Sequence, residues 1–146
     1  MFGLVWFGLV FSWLEQLPSA RGGGASVLLG DRYLHFAGGA KMYRVNTVKS
    51  AVDYDDHWVM DLENTAAGWT TLKPLPLARN HMGAAALNGY FYAMGGQLDV
   101  DEWDSNQQRV DRYNPATDSW ARMPDIPIPL GSQPPGVLCF CCRACL

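Results

Sequence analysis

The first 138 residues of this 146-residue chain contain no cysteine. Disulfides therefore do not hold the main part of the chain together. The four cysteines lie in the last eight positions, as Cys139, Cys141, Cys142 and Cys145. Their spacing matches no zinc module and no histidine lies near them, so we expect no metal there. We interpret residues 133–146 as a disordered Cys-rich tail.

Charged residues are also scarce. They make up 17% of the chain, against 49% hydrophobic residues, and the net charge is −3. A chain of this composition can bury a core and is not a disordered tail. Its basic residues are scattered along the sequence and do not cluster, which excludes the electrostatic footprint of a nucleic-acid partner.

Long apolar runs are missing as well. The run MFGLVWFGLVF at positions 1–11 is too short to cross a bilayer as a helix, so we expect no transmembrane span. It has the length of a signal-peptide core, but basic residues do not precede it and no convincing cleavage site follows. Two interpretations of segment 1–12 stay open, a signal peptide or a strand that precedes the repeats. A cytoplasmic location is favoured over secretion.

Known catalytic motifs are absent from the sequence. It has no Gly-x-Ser-x-Gly elbow, His-Glu-x-x-His pair, Walker loop or dinucleotide fingerprint. The triplet Gly22–Gly24 precedes a strand pattern rather than opening a helix, so it does not predict a phosphate site. We expect His35 and His57 to pack or to bond the backbone. These absences predict a protein without catalytic residues, bound metal or cofactor, and therefore not an enzyme.

The chain does contain an internal repeat of roughly fifty residues, which is typical of stacked or radial architectures. The segment from Trp13 to Arg21 is matched by the segment from Trp69 to Arg79, and Trp120 opens a third copy. A diglycine follows each complete copy of this segment, at Gly38-Gly39 and at Gly95-Gly96.

The second cycle predicts a four-stranded antiparallel meander. An apolar strand at 82–87 is followed by Asn88-Gly89, which favours a type I′ hairpin turn. An aromatic strand at 90–94 runs into the diglycine, and an alternating strand at 109–113 follows a polar loop. The turn 114–118 then leads to Trp120, which begins the fourth strand.

The first cycle has the same order with less distinct boundaries. We predict strands at 25–29, 32–37 and 57–62, and a turn at 63–68 that leads into Trp69. A long loop is predicted between Ala40 and about Asp56. No amphipathic helix is apparent, so the chain is predicted to be all-β.

These landmarks resemble the kelch repeat. That pattern has Pro-x-x-Arg, a small-residue strand, an aromatic strand, a diglycine, and then a Tyr and a Trp at set distances. The residues that carry the resemblance are Trp13, Arg21, Gly38, Gly39 and Trp69 in the first copy, and Arg79, Gly95, Gly96, Tyr113 and Trp120 in the second. The first copy departs from it, because Trp58-Val-Met-Asp-Leu62 stands where the Tyr strand is due.

The resemblance implies a β-propeller built of four-stranded blades, with the marker residues in its core. We assign residues 13–68 to repeat 1, 69–119 to repeat 2 and 120–132 to the start of a truncated third repeat. Two repeats leave sheet faces uncovered, so a partial propeller is expected, either as a fragment of a larger ring or as copies that assemble into one.

In kelch proteins that bind peptides, residues after the diglycine and after Pro-x-x-Arg line one face. The resemblance therefore points to Asn80, His81, Gln97 and Asp99. Trp103 joins them because it is an aromatic residue within an acidic loop, a setting that favours partner contact; a calcium site or a solvated loop are the alternatives. We predict a non-catalytic scaffold that binds a protein or peptide. The alternative is a secreted carbohydrate-binding or carbohydrate-acting propeller, similar to galactose oxidase or a sugar epimerase.

Overall fold

The chain consists almost entirely of antiparallel strands in its computed structural model, which describes residues 16–45, 48–99 and 105–131. The ten strands are β1 (Ala25–Leu29), β2 (Tyr33–Ala37), β3 (Ala40–Val45), β4 (Val48–Asp53), β5 (His57–Asp61), β6 (Trp69–Thr71), β7 (Asn80–Leu87), β8 (Tyr90–Gln97), β9 (Val110–Asn114) and β10 (Ser119–Met123). A 3-10 turn, Thr65–Ala67, lies between β5 and β6. Since these ranges contain no α-helix, the all-β prediction is confirmed.

Eight of these strands form two four-stranded sheets that we call blade 1 and blade 2. Blade 1 has the order β1-β2-β5-β6, and blade 2 runs β7-β8-β9-β10, with every neighbour antiparallel. Trp69 opens the fourth strand of blade 1, and Trp120 lies in the fourth strand of blade 2. The predicted meanders, and with them the partial propeller of four-stranded blades, are confirmed.

Hairpin turns join the first two strands of each blade. In blade 2, Asn88 has a φ of 52° and Gly89 a φ of 77°, the two positive values that a type I′ turn requires. Gly30 and Asp31 have φ values of 60° and 56° at the corresponding place in blade 1. The turn residues of the sequence therefore set the register of both hairpins.

The prediction of a long loop from Ala40 to Asp56 is wrong. Most of that segment forms a second hairpin, because β3 and β4 pair in register from Ala40 opposite Asp53 to Val45 opposite Val48. We call this two-stranded element the ribbon. It is inserted between β2 and β5, directly after the diglycine of blade 1.

The hydrophobic core lies between the two blades. Its buried members are Ala25, Leu29, Ala37, Leu75, Met82, Phe91, Ala93 and Tyr113. Trp120 is partly buried and packs against this group, and its ring centroid lies 5.1 Å from that of Tyr113. Small residues of β7 and β8 let the sheets approach each other, and the aromatic rings of β8, β9 and β10 fill the remaining space.

One backbone contact recurs where the chain leaves each blade. Arg79 accepts a backbone hydrogen bond from Gly39 (2.9 Å), and Leu130 accepts the corresponding bond from Gly96 (2.6 Å). Leu130 therefore has the same position relative to the diglycine of blade 2 as Arg79 has relative to that of blade 1, and the assignment of 120–132 to a third repeat stays a prediction.

Several predictions concern residues outside the described ranges. These are Trp13, Trp103, segment 1–12, Ser132 and the tail 133–146. The repeat boundaries at 68/69 and 119/120 stay predictions.

Candidate functional site

Two diglycines position the end of the blades at which the candidate residues lie. Gly39 has a φ of 92°, and a Cβ at this position would lie 2.8 Å from the carbonyl oxygen of Gly22. Gly96 has a φ of 97°, and its Cβ would lie 2.8 Å from the carbonyl oxygen of Asn80. Only glycine combines this conformation with so close an approach. The diglycines thus allow the segment that leads into the first strand of each blade to pass close to the end of the second strand. We call each of these close approaches a diglycine crossing.

This crossing creates a surface that we call the inter-blade rim, formed by Gly23, Asp53, Asn80, His81 and Asp99. It joins the base of the ribbon in blade 1 to the first two strands of blade 2. Most of the contacts described below bridge segments that are distant in sequence.

Asp53, at the end of the ribbon, is the acceptor that holds the rim together. Its Oδ1 accepts a hydrogen bond from Nδ2 of Asn80 at 2.5 Å, and its Oδ2 accepts one from the backbone N–H of Asp99 at 2.8 Å. A carboxylate that accepts from two donors, one on β7 and one in the bend after β8, fixes both in place, and such charge-assisted bonds are stronger than neutral ones. Asp53 therefore couples the ribbon to blade 2.

His81 is held from two sides while its side chain stays exposed. Its backbone N–H donates to the carbonyl oxygen of Gly23 at 2.6 Å, and its Nδ1 donates to Oδ1 of Asn80. Its φ is 50°, a conformation that is uncommon outside glycine, asparagine and aspartate. The bond from Nδ1 leaves Nε2 as the ring atom that can accept a hydrogen bond.

The predicted site residues differ in their exposure to solvent. Asn80 and Gln97 are directly opposite each other in β7 and β8, and both are fully buried. His81 and Asp99 are exposed, and Asp99 also has a positive φ of 56°. The fold thus brings Asn80, His81 and Asp99 together around Asp53, with Gln97 beneath them. Trp103 lies outside the described residues.

Sequence reasoning missed Asp53 and the ribbon. Asp53 is 27 positions from Asn80 and 46 from Asp99, so no local motif reports these contacts. The ribbon did leave a signal, namely two runs of six residues separated by the pair 46–47, the spacing of a two-residue hairpin.

The motif arginine Arg79 has a structural role beneath the rim. Its guanidinium is fully buried, forms an ion pair with Asp111 at 2.9 Å, and donates to the carbonyl oxygens of Gly95 (2.9 Å) and Ala93 (3.2 Å). Arg109 forms a second ion pair with Asp111 at 2.7 Å. Burial lowers the pKa of Arg79, and the carboxylate of Asp111 opposes that change.

A pair of buried histidines lies between the blades. Nδ1 of His35 is 3.0 Å from Nε2 of His57, and Nδ1 of His57 is 3.1 Å from the carbonyl oxygen of Lys73. Since that carbonyl can only accept, Nδ1 of His57 donates to it, and its Nε2 accepts from His35. Desolvation lowers the pKa of each imidazole to about 4, so both are neutral at pH 7. Packing and a backbone hydrogen bond are the roles expected for these histidines.

In the described part of the chain, no three side chains among His, Cys, Asp and Glu come together in a way that could hold a metal ion. No helix in those same ranges is long and apolar enough to cross a membrane.

Two antiparallel four-stranded sheets, packed face to face and joined through diglycine crossings, define a β-propeller protein. Residues 78–127 match the family model of the Kelch motif. Kelch-like protein terF of Aspergillus terreus is 39% identical over 61 residues, which are 40% of this chain and 13% of that protein. Human Kelch-like protein 33 is 31% identical over 116 residues, which are 79% of this chain and 19% of that protein. The chain belongs to the kelch-repeat family, and it spans less than one fifth of the length of these relatives.

Solved structures agree on the fold. The structure of YjhT superposes with a TM-score of 0.61 at 19% identity, covering 81% of this chain and 32% of that one. A fungal alcohol oxidase of the AA5 family, in complex with copper, superposes with a TM-score of 0.59 at 16% identity, covering 76% of this chain and 24% of that one. At such identities these likenesses establish the architecture alone.

Proposed function

We propose that this chain is a non-catalytic kelch-repeat scaffold that binds a protein or peptide partner through the inter-blade rim. The kelch-like relatives support a protein-interaction role. Exposed polar residues on a rigid scaffold are where binding functions concentrate.

The observation that carries the proposal is the preorganisation of His81 and Asp99. Asp53, Asn80 and Gly23 restrain the backbone or the ring of these two residues, and each has a positive φ. Exposed residues in such conformations concentrate at binding sites. A partner that meets an already ordered His81 ring and Asp99 backbone loses less conformational entropy on binding.

The test begins with the full chain as bait in chemical cross-linking. Each captured protein is then purified and its affinity measured by titration calorimetry. The variants are His81→Asn and Asp99→Asn, because asparagine tolerates a positive φ and so preserves the backbone. We expect each variant to weaken binding at least tenfold, since the ring or the charge that contacts the partner is lost.

Asp31→Asn is the matched control. Asp31 is an exposed aspartate with a φ of 56°, like Asp99, but it lies in the β1–β2 turn at the opposite end of β2 from the diglycine. We expect Asp31→Asn to bind the captured partner with an affinity within twofold of that of the parent chain. Equal affinities for all three variants would exclude the rim as the binding surface.

A carbohydrate ligand is the second candidate, in either a binding or a carbohydrate-acting propeller. The same exposed imidazole and carboxylate can hydrogen-bond sugar hydroxyls, which is the observation in its favour. The two functions separate on a glycan array probed with the parent chain. The second proposal would replace the first if the parent chain gave glycan signals that are lost in His81→Asn and Asp99→Asn, and if no protein partner were captured.

A further inference from the structure

A relay of two hydrogen bonds in the inter-blade rim sets the tautomer of His81. The carboxylate of Asp53 can only accept, so the Asn80 atom that lies 2.5 Å from its Oδ1 is the amide nitrogen Nδ2. The amide oxygen of Asn80 is then the atom that faces Nδ1 of His81. Because an amide oxygen also can only accept, Nδ1 of His81 carries the ring proton, and the lone pair is on Nε2.

The imidazole of His81 is also fixed in orientation. A Cβ at Gly23 would lie 3.2 Å from Nδ1 and 3.2 Å from Cε1 of the ring, so this edge of the imidazole packs closely against the backbone of Gly23. The other contact of that edge is the bond from Nδ1 to Asn80. Since the residue as a whole is exposed, Nε2 is the ring nitrogen that a ligand can use, and it accepts hydrogen bonds.

The charge of the rim is negative. The acids Asp53 and Asp99 are its members with a formal charge, and it includes no lysine or arginine. Both oxygens of Asp53 accept bonds within the rim, so Asp99 offers the exposed carboxylate. In the ribbon, Ala40 is opposite Asp53, so the neighbouring Lys41 lies on the other face of that hairpin. The groups that the rim offers to a ligand are therefore acceptors with negative charge.

We propose that the rim selects a partner segment that carries an exposed lysine or arginine. An ammonium or a guanidinium group has donors and no acceptor, so it complements both Nε2 of His81 and the carboxylate of Asp99. An acidic segment would oppose acceptors to acceptors and negative charge to negative charge, which disfavours it as a partner. The inference rests on the proposed function and names the side chain that the rim recognises.

The binding experiment uses the full chain and a fluorescein-labelled octapeptide in which Lys and Ser alternate, followed by fluorescence anisotropy. The same octapeptide with every lysine acetylated is the control probe, because acetylation removes the positive charge and keeps an N–H donor. We expect the lysine probe to bind at least tenfold more tightly than the acetylated probe, and its affinity to fall as salt is raised. A third probe with arginine in place of lysine distinguishes the two cations, and binding of either one supports the inference.

The variants separate local recognition from the overall charge of the chain. We expect Asp99→Asn and His81→Asn to weaken binding of the cationic probe at least tenfold. Asp31→Asn removes the same charge as Asp99→Asn but in the β1–β2 turn. We expect Asp31→Asn to bind this probe with an affinity within twofold of that of the parent chain.

The tautomer of His81 tests the hydrogen-bond relay without any ligand. Nitrogen NMR in mildly alkaline buffer distinguishes an imidazole that is protonated on Nδ1 from one that is protonated on Nε2. We expect the proton on Nδ1 in the parent chain. In Asp53→Asn the new amide can donate as well as accept, so the amide of Asn80 is free to turn over, and we expect the Nε2–H form to increase.

Four results would overturn the inference. They are no binding of either cationic probe, equal binding of the lysine and acetylated probes, equal affinities for Asp99→Asn and Asp31→Asn, and a proton on Nε2 in the parent chain. A captured partner that binds through an acidic segment, and that His81→Asn and Asp99→Asn weaken, would refute the cationic preference while leaving the proposed function intact. Captured partners that bind all variants equally would refute the proposed function itself.

Discussion

The backbone of Gly39 contacts the carbonyl oxygens of two segments that are distant from each other in sequence. Its N–H donates to the carbonyl oxygen of Arg79, its own carbonyl accepts from Tyr54, and the carbonyl oxygen of Gly22 lies where a Cβ would point. The residue therefore has two constraints that add, a positive φ and a steric limit. Gly30 has only the first, because its φ is 60° and no other residue lies within 4 Å of the position that a Cβ would take.

Comparing Gly39→Ala with Gly30→Ala separates these constraints. We expect Gly30→Ala to lower the free energy of unfolding by about 1 kcal/mol, the cost of a left-handed alanine. Gly39→Ala should cost at least about twice as much, since a backbone oxygen cannot move aside as a flexible side chain does. Urea unfolding of both variants measures the difference, and equal costs would show that the diglycine crossing relaxes freely.

At the scale of the element, the two blades bury their motif arginines differently. In blade 2 the register places Asp111 opposite Ala93, and Arg79 pairs with that carboxylate. In blade 1 the corresponding position on β5 is Trp58, opposite Phe36. Arg21 pairs instead with Asp56 and stacks on Tyr54. The same motif residue thus forms an ion pair in both blades, with an added aromatic contact in blade 1.

The buried ion pair of blade 2 should be sensitive to removal of one partner. Arg79→Met leaves the fully buried Asp111 with Arg109 alone and removes a donor from the carbonyl oxygens of Gly95 and Ala93. We expect a loss of about 3 kcal/mol in unfolding free energy. Arg32→Met is the control, because the Arg32 side chain is 41% exposed in its pairs with Asp61 and Glu63.

Exposed pairs of this kind contribute less than about 1 kcal/mol. Chemical denaturation of both variants provides the comparison. Adding Asp111→Leu to Arg79→Met should recover part of the loss, because the uncompensated carboxylate is then gone. A double variant less stable than Arg79→Met alone would contradict this account of blade 2.

At the scale of the whole molecule, the histidine pair links blade packing to pH. His35 lies against Phe91 and Tyr113, and His57 lies against Tyr113 and Trp120, with Asp118 as the nearby anion. Both folded pKa values are about 4, below the ordinary value of 6.5. Between these values the unfolded chain binds more protons than the folded chain, so stability falls as the pH falls.

We therefore expect the unfolding free energy to be highest above pH 6.5 and to decline steadily towards pH 4. His35→Gln should flatten this decline, because glutamine can donate to His57 without titrating. Urea unfolding of the parent chain and of His35→Gln at several pH values across this range tests this expectation, and parallel slopes for the two proteins would exclude the buried pair as the cause. The pKa values of the Asp61 and Asp118 carboxyl groups are also lowered, and these groups affect the unfolding free energy below this pH range.

Much of this fold is readable from local chemistry. Turn residues such as Asn88-Gly89 mark hairpins because few other residues adopt their φ values, and the diglycines mark crossings for the same reason. Alternation and aromatic content located the strands of both blades to within a few residues. The candidate residues Asn80, His81 and Asp99 follow from the resemblance to the kelch repeat, and their role in binding stays a prediction.

The amino-acid sequence by itself determined the strands and turns of the two blades and the repeat, since each depends on interactions between residues a few positions apart. Only the tertiary structure decided that Asn80 is buried while His81 is exposed, and that Asp53 joins the ribbon to blade 2. It also decided that His35 and His57 share a hydrogen bond. Those outcomes depend on packing between segments far apart in the chain, where desolvation and direct contact act and local propensity carries no information.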